Sequence, residues 1–152
     1  MKISAAGINL IKQFEGIKLN AYQDSVGIWT IGYGSIRWID GKAVKKGEVL
    51  TMEGAEKLLT HEVEQKTAAV NKLLGLVKLT QNQFDAICSF TFNCGIGALG
   101  KSTLLRKVKS NTSDITIKDA FLMFNKGTIG GKLVELKGLT NRRKKEANYY
   151  FS

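Results

Sequence analysis

Near the start of the chain the apolar residues Ile8, Leu10, Ile11 and Phe14 fall at helical spacing. Ser4 is placed to cap that helix, and Gly16 can end it in a left-handed conformation, which makes Glu15 its last residue. The pattern then changes. Ile28-Trp29-Thr30-Ile31-Gly32-Tyr33-Gly34 is rich in β-branched and aromatic residues and reads as a strand. Ile36-Arg37-Trp38-Ile39 reads as another, entering a tight turn at Asp40-Gly41-Lys42. Two or three short antiparallel strands are expected before Gly47, too few to stand without helices against them.

From Thr51 the helical period returns. Thr51 caps, Glu53 and Glu56 sit near the positive end, and Ala55, Leu59, Val63, Val70 and Leu73 share about one face until Gly75. Glu62 and Lys66 make an i,i+4 pair. Thr80 with Gln83 is a capping box, and Phe84, Ile87, Cys88 and Thr91 follow on one face, with Phe90 and Phe92 adding bulk. This predicts a central buried helix ending at Gly95. Further helices are predicted from Ser102 and from Thr116 with Asp119, the latter giving Ala120, Phe121, Met123 and Phe124 to the core. Gly130-Gly131-Lys132 reads as a loop, and a last helix carries residues 138–146.

Glu15 is at an odd place for a structural carboxylate. A helix C-terminus carries partial negative charge and prefers a cation, so the protonated acid is favoured there. A solvated glutamate at a frayed end is the plain alternative. Asp24 follows in a Gln-Asp-Ser-Val-Gly turn, and Thr30 lies on the strand beyond it. A helix end, a turn carboxylate and a strand hydroxyl can converge on one small volume. Two carboxylates flanking a cleft are the working parts of glycoside hydrolysis.

Glu15, eight residues, Asp24, five residues, Thr30 resembles the Glu…Asp…Thr signature of phage-type lysozymes, glycoside hydrolase family 24. Phe14-Glu15-Gly16, Ala21-Tyr22-Gln23-Asp24 and Trp29-Thr30-Ile31-Gly32-Tyr33-Gly34 resemble it as well. So do Phe92-Asn93-Cys94-Gly95-Ile96-Gly97 before Ser102-Thr103-Leu104, and Gly138-Leu139-Thr140-Asn141-Arg142-Arg143…Glu146 near the end. The resemblance implies an α+β, lysozyme-like and mostly helical fold, with a small antiparallel β lobe and a helical lobe flanking an active-site cleft. Residues 1–152 would form a single domain, the β lobe at about 15–50 and the helical lobe at about 75–152 plus the N-terminal helix.

The implied activity is a muramidase that cleaves the β-1,4 bond between N-acetylmuramic acid and N-acetylglucosamine in peptidoglycan, used as a phage endolysin. Glu15 would be the general acid, Asp24 the base or electrostatic partner, and Thr30 would orient water. Arg142 would pair with Glu15. Phe92 and Ile36 are either plain packing or saccharide contacts at the cleft edge. No metal or cofactor is implied. One departure stands out: many members have His after the Thr-x-Gly-x-Gly segment, and here it is Ser35, so a structural ion pair would be missing.

Composition is that of an ordinary globular chain, 43% hydrophobic and 24% charged. No apolar run approaches the roughly 20 residues of a membrane span, and no signal peptide is read at Met1–Gly7. Stable membrane insertion is not expected. The enzyme should stay in the host bacterial cytoplasm until released to the wall, and act as a monomer. Cys88 and Cys94 are expected as free, mostly buried thiols, and His61 lies far from any metal-ligand cluster. The net charge of +10 is lopsided: through Gly75 there are 10 basic and 8 acidic residues, and from Leu76 onward 13 and 5. A basic surface favours a polyanion, and no nucleic-acid-binding signature is present. Arg143-Lys144-Lys145 reads as a solvated helix face. A non-catalytic wall-binding module on the same scaffold is the alternative reading.

Overall fold

The structure is a computed structural model that describes residues 1–152. The fold is mostly helical, with two small antiparallel sheets. Helix α1 (Ala5–Lys12) leads into β1 (Lys18–Gln23) and β2 (Trp29–Gly32), which pair antiparallel with Tyr22 opposite Thr30. Residues 35–49 add only isolated bridges, among them Arg37 with Ala43, so the segment Ile36–Ile39 is not a full strand. Helix α2 (Met52–Leu74) follows, 23 residues and so about 35 Å long. It is capped by Thr51, whose Oγ1 accepts from the Gly54 amide at 3.0 Å.

Helix α3 (Gln81–Cys94) is the centre of the molecule. Its capping box is formed as the sequence predicts, and every residue from Phe84 to Thr91 is buried. Around it pack α4 (Ile96–Lys101), α5 (Thr103–Ser110), α6 (Ile117–Leu122) and α7 (Lys137–Tyr150). Phe90 meets Phe121 and Phe124 edge-on at 5.9 and 4.9 Å, and Phe121 meets Tyr150 at 5.9 Å. These rings anchor the large core. Two smaller clusters serve the β region: Ile11, Tyr33, Ala55, Leu59 and Val63, then Ile31, Val44 and Leu58.

The structure departs from the sequence reading in several places. Helix α1 stops at Lys12, and Glu15 lies in the turn that follows. Gly16 does not take a left-handed conformation. Helix α4 was not foreseen, and Met123 is exposed rather than in the core. The Gly130-Gly131 segment is the turn of a hairpin, β3 (Lys126–Ile129) with β4 (Lys132–Glu135). Both glycines have positive φ, at 57° and 76°, the type I′ geometry that matches strand twist.

Helix α1 is held to α3 by one buried carboxylate. Asp85 accepts from the Ser4 amide at 3.0 Å, from the Ser4 hydroxyl, and from Gln81 Nε2 at 2.8 Å. Gly7 permits this approach, because a Cβ there would lie 2.6 Å from Asp85 Cγ. On its other side α1 is tied to α2 by the Lys12–Glu56 ion pair, to which Tyr33 adds a hydrogen bond onto Glu56 at 3.2 Å. The turn carrying Glu15 is thus fixed from both sides. Replacing Asp85 with Ala should lower the unfolding free energy by about 2–3 kcal/mol, since it strips charge-assisted bonds and leaves the partly buried Ser4 amide unpaired. Urea unfolding measures this, and a loss below about 0.5 kcal/mol would show that α1 does not depend on it.

Candidate active site

Glu15 leaves the end of α1 with its backbone amide still bonded to the Ile11 carbonyl at 3.2 Å. Its side chain is mostly covered, and Oε1 accepts from Arg142 Nη1 at 2.7 Å. Arg142 comes from α7, 127 residues along the chain. Its guanidinium lies 4.9 Å over the Phe14 ring, and Nη2 reaches the Ser89 carbonyl at 3.5 Å. Its Nε donates to Glu146 Oε1 at 3.2 Å.

Behind this pair sits a second guanidinium. Arg143 is fully buried, against the sequence reading of a solvated residue. A helix turns by about 100° per residue, so Arg142, Arg143 and Glu146 share a face while Lys144 and Lys145 point outward. Arg143 Nη2 donates to Glu146 Oε1 at 3.2 Å and to Asn93 Oδ1 at 2.9 Å, and Nη1 contacts Cys94 Sγ at 2.6 Å. Its Nε meets Glu146 Oε2 at 2.8 Å, off the line of a good hydrogen bond. Ser89 Oγ donates to Glu146 Oε1 at 2.7 Å. Burial pushes the Glu146 carboxyl up, and Arg143, Ser89 and Arg142 oppose it. The signal for this cluster was in the sequence, as i,i+3 and i,i+4 pairs onto Glu146.

Glu15 and Arg142 line a cavity of about 790 Å³, together with Phe14, Asn93, Leu139 and Lys145. A second cavity of about 440 Å³ is lined by Gly34, Ile36, Trp38, Glu62 and Lys66. Gly34 joins the two: its φ is +90°, and Glu15 Oε2 lies 4.0 Å from where a Cβ would stand. Ile36 is therefore on the wall of the second cavity, not of the first. Phe92 is half-buried, and Lys66 Nζ sits 4.1 Å over its ring and 3.3 Å from its carbonyl oxygen. Burial lowers the affinity of Lys66 for its proton, with Glu62 and Glu15 opposing. Burial raises Glu62, opposed by Ser35, Lys66 and His61. Glu62 and Lys66, expected from the sequence to pair at i,i+4, form no ion pair within 4.0 Å and instead both line the second cavity.

Asp24 and Thr30 line neither cavity. Asp24 directly follows β1, and its Oδ1 accepts from the Val26 and Ile28 amides, both at 2.9 Å, fixing the turn. Thr30 is buried, and its hydroxyl donates to the Ile28 carbonyl at 3.0 Å. The structure brings Glu15 together with Arg142 and Gly34, and places Asp24 and Thr30 on the adjoining hairpin. No three His, Cys, Asp or Glu side chains cluster as metal ligands, and no helix is long and apolar enough to cross a membrane.

The two thiols are unpaired. Burial pushes Cys88 up to about 12, and it raises Cys94 against the pull of Arg143. A disulfide-exchange reagent at pH 8 should therefore leave Cys88 untouched in the folded protein, label Cys94 slowly, and reach both in denaturant. Two equally fast thiols in the native protein would contradict the packing around α3.

A family model described as phage lysozyme matches residues 12–146. The endolysin of Acyrthosiphon pisum secondary endosymbiont phage 1 is 43% identical over 147 residues, which covers 96% of this chain and 95% of that one. The endolysin of Salmonella phage P22 is 38% identical over 152 residues, covering 100% and 99%. Among solved structures, the endolysin from Escherichia coli O157:H7 phage FAHEc1 superposes with a TM-score of 0.92 at 47% identity, over 99% of this chain and 93% of that one.

Proposed function

This chain belongs to the phage lysozyme family, and from that premise we propose that it cleaves the β-1,4 bond between N-acetylmuramic acid and N-acetylglucosamine with Glu15 as the general acid. It is a lysozyme-type glycoside hydrolase, a peptidoglycan hydrolase of the endolysin kind. The observation that carries the assignment of Glu15 is its position on the wall of an open groove, mostly covered and held by Arg142 at 2.7 Å. A carboxyl so placed can be desolvated by an entering saccharide and can hand its proton to the leaving oxygen.

Asp24 serves as the base or electrostatic partner. Its Oδ1 is committed to the turn, which leaves Oδ2 to face water or substrate. Thr30 orients the attacking water through the lone pairs of its hydroxyl, whose proton is given to the Ile28 carbonyl. Ile36 and Phe92 contact the sugar chain from the two sides of the groove. The protein acts as a monomer, with the anionic wall rather than nucleic acid as the partner of its +10 charge. It is held in the host cytoplasm until released to the wall, a reading that two unpaired thiols support.

The alternative, a wall-binding module without turnover, draws on one observation: the Glu15 carboxylate is already taken up by the Arg142 guanidinium. Clearing of purified peptidoglycan separates the two. Glu15→Gln, folded and at matched concentration, should lose about 10²–10⁴-fold in the release of new reducing ends. A variant that clears as well as the wild type would mean that Glu15 is not the acid. The wild-type rate should also fall as ionic strength rises, because steering toward an anionic polymer is screened. A rate flat from low to high salt would remove the steering role of the basic surface.

A further inference from the structure

The side chains of Arg142, Arg143 and Glu146 occupy a space almost closed to water. Two guanidiniums there share one carboxylate, and Arg142 extends to a second one, Glu15. With Glu15 ionised the four groups sum to zero. A proton on Glu15 leaves an excess positive charge, and its cost depends on how well Glu146 satisfies Arg142 by itself. We propose that Glu146 is a positioning residue for catalysis: its carboxylate, divided between Arg142 and Arg143, sets how tightly Arg142 holds Glu15 and so when Glu15 can act as an acid. This inference rests on the general-acid reading of Glu15.

The geometry makes the competition specific. Arg142 gives Nε to Glu146 at 3.2 Å and Nη1 to Glu15 at 2.7 Å, so each carboxylate draws on a different edge of one planar group. Glu146 Oε1 is also taken by Arg143 Nη2 at 3.2 Å and Ser89 Oγ at 2.7 Å. Every donor that Ser89 or Arg143 adds weakens the claim of Glu146 on Arg142 and returns Arg142 to Glu15. The other charged groups around the site add positive potential: Lys66 from α2, and Lys144 and Lys145 from α7. The Cys94 thiol at the end of α3 contacts Arg143 and the Phe14 ring before Glu15 covers Arg142, neither bringing a charge. Glu62 faces Lys66 instead, and Asp24 lies beyond the far end of β1. Glu146 is thus the one acid in direct contact with Arg142 other than Glu15.

Two substitutions test this, read by the carboxyl ¹³C titration of Glu15 and by the pH dependence of reducing-end release. Glu146→Gln keeps shape and removes the charge. Glu15 should then stay ionised to lower pH, moving both its titration midpoint and the basic limb of the activity profile down by about one pH unit. Ser89→Ala frees an acceptor on Glu146 for Arg142 and should move both in the opposite direction by a smaller amount. A folded Glu146→Gln protein that titrates Glu15 as the wild type does overturns the proposal. Should that variant fail to fold, the milder Ser89→Ala protein decides, and an unshifted midpoint overturns it. A midpoint that moves as stated while Glu15→Gln still clears peptidoglycan confirms the coupling through Arg142 but discards the general acid, and with it the catalytic role of Glu146. An unmoved midpoint with an inactive Glu15→Gln does the reverse.

Discussion

A buried guanidinium must find acceptors for its donors, because the cost of leaving it uncompensated exceeds what most contacts return. Arg143 meets this demand with Glu146, Asn93 and Cys94, and Arg142 with Glu146, Glu15 and the Ser89 carbonyl. Those acceptors come from α3, α7 and the turn after α1. The need to satisfy two charges therefore fixes the relation of the elements that make the groove. The helical core around Phe90 supplies stability, while the charge cluster supplies register.

Asp85 does the same for the other end of α1. It accepts the capping donors of Ser4 while lying deep in α3, and Gly7 lets the two helices touch. With Lys12 tied to Glu56, α1 cannot slide or roll. Glu15, three residues beyond Lys12, inherits that fixity, and Gly34 leaves room against its carboxylate. The placement of Glu15 is built from ordinary capping and pairing on rigid elements.

The long elements were legible where local chemistry and pattern agree. Thr51 and Gly75 bound α2, and the capping box of Thr80 and Gln83 opens α3, because those bonds form within a few residues. The end of α1 was misplaced because glycine permits a left-handed turn without requiring one. The β3–β4 hairpin escaped because Ile129 and Leu133 are both exposed, so no inward and outward alternation marks it. Its Gly130-Gly131 turn was the available signal. At the site, Glu15 and Arg142 could be named from motifs, yet Arg143 was lost in a run of four cations. Only the helical angle separates it from Lys144, and only the tertiary structure shows which side faces inward.

The contact between Glu15 and Arg142 spans most of the chain. A ribosome delivers residue 15 first and residue 142 near the end, so the paired site cannot exist on a nascent or truncated polypeptide. Loop closure over such a separation is slow relative to local helix formation. Long α2 and α3 can form early, while the Glu15–Arg142 pair is completed only when the C-terminal helix arrives and docks. Premature termination before α7 therefore yields fragments in which Glu15 has no Arg142 to pair with.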